Sequence, residues 1–116
     1  MKLAIVGGRD FNDRQLMYKE VDDFLECYGK IDLIISGGAR GADTLVYELA
    51  NKMSIKFQEV LPDWAEHGKK AGILRNKIIV DQCDLLIAFW NGVSAGTHNS
   101  IMEAEKQGKL CKVVKY

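Results

Sequence analysis

The sequence predicts an α/β protein in which a parallel sheet lies between two layers of helices. Short apolar runs, typical of buried strands, alternate with helical patterns from end to end. Alternation with short connections favours a parallel sheet with helices on both faces. Three of the apolar runs are followed by glycine-rich turns, at positions 7–11, 36–43 and 91–97. All three turns are therefore expected at the carboxyl edge of the sheet, where such proteins bind ligands.

The strands are predicted from apolar runs, which are continuous where both faces of a strand are covered. In order they are Lys2–Val6, Ile31–Ile35, Ile55–Val60, Asp84–Phe89 and Leu110–Lys115. The helices between them are Asp13–Cys27, Ala42–Met53, Lys69–Gln82 and Thr97–Gln107. Leu61–Gly68, which contains the only proline, is predicted to be a polar connection.

Helix-end signals and apolar periodicity support the helix assignments. Either Asn12 or Asp13 is expected to cap the first helix, and either Ser94 or Thr97 the fourth. Gly29 stands where the first helix is expected to stop. The apolar residues spaced along one face of the first helix are Met17, Val21, Phe24 and Tyr28. Those of the second helix are Leu45, Val46, Leu49 and Ala50.

These elements predict a single domain, residues 1–116, with a three-layer Rossmann-like fold and a five-stranded parallel sheet. The strand order 3-2-1-4-5 is preferred, and 2-1-3-4-5 is the alternative. In the preferred order the topological switch point, where the order of the strands reverses, falls between strands one and four. The first and third glycine turns would then flank a crevice, with the second turn beside them.

Composition excludes several classes of protein. Lys+Arg and Asp+Glu are both 16, and this balance argues against a uniformly basic nucleic-acid surface. No apolar stretch approaches the ~20 residues that span a bilayer, and residues 1–6 lead directly into the first turn without a signal peptide. We therefore expect a cytoplasmic protein without a membrane partner. The cysteines, Cys27, Cys83 and Cys111, are too widely spaced for a zinc site and are expected to be small buried hydrophobes.

The turn Ser36–Asp43 is the most specific motif. It matches neither the Walker A loop nor the dinucleotide fingerprint. Either the amides of Gly38–Ala42 bind a phosphate, or the glycines only permit close packing. Ser36 is expected to donate a hydroxyl hydrogen bond to the same ligand. Asp43 is expected either to favour the helix dipole or to bind a ribose hydroxyl.

Three further segments contribute candidate side chains. Arg9, followed by Asp10, suits a phosphate or forms a surface ion pair. Arg75 and Asn76 are expected to face the crevice, and Trp64 is expected to stack on a base, cover the core or make an oligomer contact. The predicted ligand-binding residues are Gly7, Gly8, Arg9, Asp10, Ser36, Gly37, Gly38, Ala39, Arg40, Gly41, Asp43, Trp64, Arg75, Asn76, Asn91, Gly92, Ser94, Gly96 and Thr97. No cofactor or metal site is predicted.

The motif order GGRDF, SGGARGAD, PDW, GKKAG-x-x-RN, CDLLIAFWNG and SAGT resembles the YspA/YpsA-related branch of the SLOG superfamily, over Leu3 to Gly108. This resemblance implies a Rossmann-like fold that binds nucleotides or nucleotide-derived signals. It also implies self-association, as a homodimer or a larger oligomer.

Two other groups share parts of the pattern. SGGARGAD resembles the SG-x-ARGID motif of DNA-processing proteins, and the second half of the chain is similar to the LOG phosphoribohydrolases. The LOG resemblance assigns Arg75 to the conserved arginine, Gly92 to a glycine of the signature and Gly96-Thr97 to its GT pair. Asn76 replaces a basic residue of the LOG pattern, and Ser100 stands where a glutamate is expected. Other candidate acids are Asp10, Asp43, Asp63 and Glu103.

We therefore expect a nucleotide-derived small molecule as the ligand and a role as a sensor or regulatory module. The first alternative is hydrolysis of an N-glycosidic bond in a nucleotide, with Asp10, Asp43 or Glu103 as the catalytic acid or base. The second alternative is single-stranded DNA binding, which the zero net charge disfavours.

Overall fold

The computed structural model describes residues 1–37 and 41–116. Within these residues the strands are β1 (Lys2–Gly7), β2 (Leu33–Gly37), β3 (Lys56–Val60), β4 (Leu85–Trp90) and β5 (Leu110–Lys115). The helices are α1 (Arg14–Tyr28), α2 (Ala42–Lys52), α3 (Trp64–His67), α4 (Ala71–Gln82) and α5 (Ala95–Lys106), with a 3₁₀ turn at Gly68–Lys70. No helix in these residues is long and apolar enough to cross a membrane.

The five strands form one parallel sheet in the order β3-β2-β1-β4-β5. This confirms the predicted Rossmann-like order and excludes the alternative. In the central part of the sheet, Ala4 lies opposite Ile35 on one side and Leu86 on the other. The switch point is therefore between β1 and β4, as predicted.

Helices cover both faces of the sheet, and each face has its own core. Alternate residues of β1 belong to the two cores: Leu3 and Ile5 to one, Ala4 and Val6 to the other. The first core includes buried residues of α1 and α2, and the second includes those of α4 and α5. Because the central strands are buried on both faces, their sequences are continuous apolar runs rather than alternating ones.

The helix ends follow local capping rules. The Asp13 carboxylate accepts a hydrogen bond from the Leu16 amide at 3.0 Å and begins α1. Gly29 follows α1 with a φ of 85°, and Ser94 caps α5 by accepting from the Thr97 amide. Of the alternatives considered for each cap, the structure thus selects Asp13 and Ser94.

Most element boundaries differ from the predictions by one or two residues, and two differences have a clear local cause. The second strand begins at Leu33 rather than Ile31, because its pairing with β1 starts with Leu33 opposite Lys2. Ile31 is buried but lies before the strand. The connection predicted at 61–68 contains the short helix α3, since the Asp63 carboxylate accepts from the Glu66 amide at 3.1 Å and caps it.

The expectation that all three cysteines are buried is wrong for Cys27. Cys83 is buried and Cys111 is half-buried, but Cys27 is exposed. Cys27 and Tyr28 end α1 beside an open groove of about 260 Å³ against β4 and β5. The groove is open, and the side chains of Cys27 and Tyr28 beside it meet solvent.

Candidate functional site

A cavity of about 440 Å³ lies at the carboxyl ends of the central strands. The β1–α1 turn, the end of β2, the β4–α5 turn and the side of α4 form its walls. The predicted binding residues that line it are Gly7, Gly8, Arg9, Asp10, Gly37, Asp43, Arg75, Asn76, Asn91, Ser94, Gly96 and Thr97. Val6, Ile79 and Ser100 also line it. The structure thus brings together residues from four separate segments of the chain.

Arg75 lies on the wall of the cavity against the backbone of Gly37. A Cβ at position 37 would come 2.6 Å from Nη1 of Arg75, and a larger residue there would displace the guanidinium. Burial lowers the pKa of Arg75, the Asp43 carboxylate opposes this, and the positive charge of Arg9 adds to the lowering. Because an arginine stays protonated in proteins even when its pKa is lowered, the cavity contains a half-buried cation.

Asn76 holds Arg75 and joins α4 to α5. Its Oδ1 accepts a hydrogen bond from Nε of Arg75 at 3.0 Å. Its Nδ2 donates to the Gly96 carbonyl oxygen at 3.3 Å and to Oδ1 of Asn99 at 3.0 Å. A buried amide with both ends in use fixes the guanidinium relative to the first turn of α5.

The cavity contains two positive and two negative side chains. Arg9 and Arg75 line it together with Asp10 and Asp43. Across residues 1–37 and 41–116, neither arginine forms an ion pair with a carboxylate. By contrast, Arg14, outside the cavity, is paired with Glu48 at 2.8 Å.

The β4–α5 turn presents the N-terminus of α5 to the cavity. Oδ1 of Asn91 accepts from the amides of Val93 and Ser94, both at 2.8 Å, and shapes the turn. Ser94, Gly96 and Thr97 then line the cavity. The first turn of a helix carries unpaired amides and a partial positive charge, so this wall suits an anion.

Asp10 is bound by a residue that the sequence analysis did not single out. The Tyr116 hydroxyl donates to Oδ1 of Asp10 at 2.6 Å. Desolvation and the adjacent carboxylate both disfavour the phenolate and raise the pKa of Tyr116 to about 12. The phenol remains protonated at neutral pH and stays a donor to Asp10.

Ser36 and Asp43 form a buried hydrogen-bonded pair, of which only Asp43 lines the cavity. The Ser36 hydroxyl is fully buried, lies 2.8 Å from the Ile5 carbonyl oxygen and is hydrogen bonded to the Asp43 carboxylate. Ser36 does not line the cavity, and its hydroxyl serves interactions within the protein. Asp43 lies in the first turn of α2, where a carboxylate is favoured by the helix dipole.

Several predicted residues lie elsewhere. Trp64 is 58% exposed on α3 and does not line the cavity, and neither do Gly41 and Gly92. The Glu103 carboxylate accepts from Nε2 of Gln107 at 3.1 Å, also outside the cavity. The remaining predicted residues, Gly38, Ala39 and Arg40, lie outside the described residues. Among those that are described, no cluster of three metal-ligating side chains occurs.

Two cavity residues had no distinguishing signal in the sequence. Val6 and Ile79 belong to apolar patterns that also fit ordinary core positions. The resemblance to the LOG phosphoribohydrolases marks Ser100 only as the position of a missing glutamate. It is buried and lines the cavity one helical turn after Gly96, a position that helical spacing from the glycine turn predicts.

The sheet order and the cavity at its switch point define a Rossmann-like α/β domain. The sequence model of the YspA, cpYpsA-related SLOG family matches residues 1–67, and the chain belongs to that family. The Gene 61 protein of Mycobacterium phage D29 is 36% identical in an alignment 115 positions long that covers 92% of this chain and 90% of the phage protein. No solved structure gave a significant match. Membership of this family indicates a nucleotide-related function.

Proposed function

We propose that this domain binds the phosphate group of a nucleotide or nucleotide-derived ligand and acts as a sensor or regulatory module. The observation that carries the proposal is the cavity shared by Arg9 and Arg75, neither of which is ion-paired with a carboxylate in the described residues. Two guanidinium groups in one cavity repel each other. A bound dianion would relieve that repulsion and accept charge-assisted hydrogen bonds from both.

The position of Arg75 favours an anion further. Its guanidinium is half-buried and held by Asn76, so part of the desolvation and ordering cost is already met in the free protein. A guanidinium that is oriented before binding loses less entropy for each hydrogen bond it forms. Arg75 is therefore the side chain whose loss should weaken phosphate binding most.

The backbone supplies the second part of the proposed phosphate site. Gly96, in the first turn of α5, lines the same cavity as Arg75. The Gly96 amide has no intrahelical partner at this position, and the helix dipole favours negative charge there. A phosphate between Arg75 and this turn would contact both a cation and a helix N-terminus, an arrangement common to many phosphate sites.

The rest of the cavity suits a sugar. Its volume of about 440 Å³ falls within the range of about 300–1,000 Å³ that is usual for small-molecule sites. Asp10, Asn91 and Ser94 provide hydrogen-bonding groups around it. A phosphate attached to a ribose would use both the cationic and the hydroxyl-binding parts of the cavity.

Thermal unfolding against a ligand panel tests the proposal. The panel contains AMP, ATP, NAD, ADP-ribose, cyclic ADP-ribose, other nucleoside monophosphates and a single-stranded oligonucleotide. A ligand at about 100 times its Kd adds about 2.7 kcal/mol, which raises the midpoint by roughly 10 °C in a domain of this size. We expect such a shift with one nucleotide class and its loss in Arg75→Ala.

Arg14→Ala is the matched control, because it removes an arginine that is paired with Glu48 outside the cavity. This variant should keep the ligand-induced shift of the wild-type protein. If no nucleotide changes the midpoint, or if both arginine variants respond alike, the proposed site is wrong. A shift with the oligonucleotide alone would instead support nucleic-acid binding.

A second candidate function is hydrolysis of an N-glycosidic bond in the bound nucleotide. It is favoured by the Asp10 carboxylate, which lines the cavity and can stabilise positive charge on a sugar or activate water. Chromatography of each stabilising ligand after incubation tests this candidate. Release of free base that is lost in Asp10→Asn, with binding retained, would establish an enzyme, and an intact ligand would leave a binding module.

A further inference from the structure

Tyr116 connects the end of β5 to the β1–α1 turn. Its backbone amide donates to the Trp90 carbonyl oxygen at 3.3 Å and continues the pairing of β5 with β4. Its ring makes an edge contact with Phe11, with the ring centroids 4.8 Å apart. Its hydroxyl reaches Oδ1 of Asp10 at 2.6 Å. Tyr116 is thus held at the backbone, at the ring and at the hydroxyl.

The β1–α1 turn leaves space for this tyrosine. A Cβ at Gly8 would come 2.2 Å from the Tyr116 phenol oxygen and 2.8 Å from Oδ1 of Asp10. Any residue larger than glycine would separate the phenol from the carboxylate. The hydrogen bond therefore depends on the glycine as well as on the two partners.

The Tyr116 hydroxyl is the only donor to Asp10 among the described residues. One carboxylate oxygen is held by the phenol, and the other keeps its capacity to accept. Because Asp10 lines the cavity, a ligand there meets a carboxylate whose orientation is set before binding. An acceptor of this kind recognises a hydroxyl or amine donor and disfavours a ligand that lacks one.

Asp43, the other carboxylate of the cavity, is less suited to this role. It is only 8% exposed and is hydrogen bonded to Ser36. Asp10 lies in the exposed part of the β1–α1 turn, next to Arg9. The geometry therefore favours Asp10 as the acceptor for a ligand group attached to the phosphate.

Resting on the phosphate site proposed above, we propose that Tyr116 is a positioning residue that orients Asp10 toward a ribose hydroxyl, and that this pair gives the site its selectivity for ribose phosphates. Phosphate binding comes from Arg75 and the first turn of α5. Selection of the sugar comes from Asp10 and Tyr116. The two contributions can be separated by experiment because they come from different walls of the cavity.

The test uses probes without a base, so that the identity of the base does not matter. Ribose 5-phosphate, 2-deoxyribose 5-phosphate, xylose 5-phosphate and inorganic phosphate are titrated into the full chain and followed by NMR. The deoxy sugar lacks one ring hydroxyl and xylose inverts another. We expect at least one of them to bind roughly tenfold to a hundredfold more weakly than ribose 5-phosphate, as for loss of a hydrogen bond to a charged group.

Tyr116→Phe keeps the ring and the backbone contacts but removes the hydroxyl. It should reduce the preference for ribose 5-phosphate severalfold while leaving the affinity for inorganic phosphate unchanged. Tyr47→Phe is the control, because the Tyr47 ring packs on Phe57 and its hydroxyl has no partner in the described residues. Gly8→Ala, whose methyl group would displace the phenol, is a second variant and should show the same loss of preference.

Each outcome bears on a different claim. Equal affinity of the three sugar phosphates for the wild-type protein, with inorganic phosphate still bound, would refute sugar selection by Asp10 but leave the phosphate site standing. An unchanged preference in both Tyr116→Phe and Gly8→Ala would refute the positioning role of Tyr116. Absence of binding by all four probes would overturn the phosphate site and this inference together.

Discussion

Gly41 is the position where one added methyl group should damage the site most directly. It precedes α2 with a φ of 76°, a conformation that residues with a side chain rarely adopt. A Cβ there would come 2.2 Å from the Arg9 carbonyl oxygen and 2.7 Å from the Arg9 carbonyl carbon. The turn before α2 therefore packs on the backbone of the β1–α1 turn, and Gly41→Ala would push the two apart.

The cost can be worked out from three contributions. The positive φ costs about 1–2 kcal/mol for an alanine. The Arg9 carbonyl oxygen would have to withdraw by about 0.8 Å to reach 3.0 Å from the new methyl group, and overpacking of this kind costs about 1–3 kcal/mol. Alanine also reduces the conformational freedom of the unfolded chain, which stabilises the folded state by about 0.4–1 kcal/mol. The net loss expected for Gly41→Ala is about 3 kcal/mol.

Gly29→Ala is the control that separates the backbone strain of a positive φ from the steric contact of the added methyl group. Gly29 has a φ of 85°, but nothing lies within 4 Å of the position its Cβ would take. Only the strain and the unfolded-state contributions remain, and the expected loss is about 1 kcal/mol. The two variants should therefore differ by about 2 kcal/mol, and only Gly41→Ala should also weaken ligand binding, because it displaces Arg9.

Urea unfolding followed by circular dichroism measures both variants against the wild-type protein. The free energies of unfolding are comparable only if the slopes with urea concentration agree. If Gly41→Ala and Gly29→Ala lose the same stability to within about 0.5 kcal/mol, comparable to the usual error of such differences, the turn-to-turn contact does not stabilise the fold as argued.

Three further predictions concern other residues. Asn76→Ala removes hydrogen bonds to residues of both α4 and α5 and should lower the free energy of unfolding by about 2 kcal/mol. This loss should exceed that of Asn99→Ala, which removes a single one of these bonds. The pKa of Tyr116 is raised in the folded protein to about 12. The protonated phenol therefore contributes fully to stability below the unfolded pKa of about 10, and this contribution is lost as the pH rises toward 12. Between these pH values the free energy of unfolding should fall less in Tyr116→Phe than in the wild-type protein, as measured by alkaline unfolding. Burial raises the pKa of Cys111 to about 11, so iodoacetamide at neutral pH should modify the exposed Cys27 well before Cys111. Mass spectrometry of the labelled peptides measures this order, and faster modification of Cys111 would contradict the prediction.

The strand order was predictable because it depends on patterns that are local in sequence. Each apolar run predicts a strand and each amphipathic segment predicts a helix. The right-handed crossovers then leave few ways to arrange these strands and helices in one sheet. The start of β2 was less predictable, because the ladder with β1 rather than the apolarity of Ile31 determines it. The helix α3 was missed, since four residues are too few to show a period.

The turns that line the cavity were predictable from the sequence, whereas the contacts between residues far apart in the chain were not. Arg9, Arg75 and Gly96 could be placed together because the carboxyl ends of parallel strands share one edge. Tyr116 could not, since its partner Asp10 lies 106 positions earlier and no local pattern links them. The use of Ser36 inside the protein rather than in the cavity likewise depends on the packing of β2 against β1.

The position of the cavity at the junction of β1 and β4 has a kinetic consequence. Backbone pairing across this junction brings together segments that are far apart in the chain. The Asp84 amide, for example, donates to the carbonyl oxygen of Lys2, 82 positions earlier, at 2.8 Å. Closing a loop of that length is among the later and slower events in forming a parallel sheet. Since the cavity exists only once the junction has closed, a ligand bound there would stabilise the folded state without helping the chain to reach it. Ligand binding should therefore slow unfolding and leave the folding rate unchanged, so that an occupied domain outlasts an empty one when proteases are present.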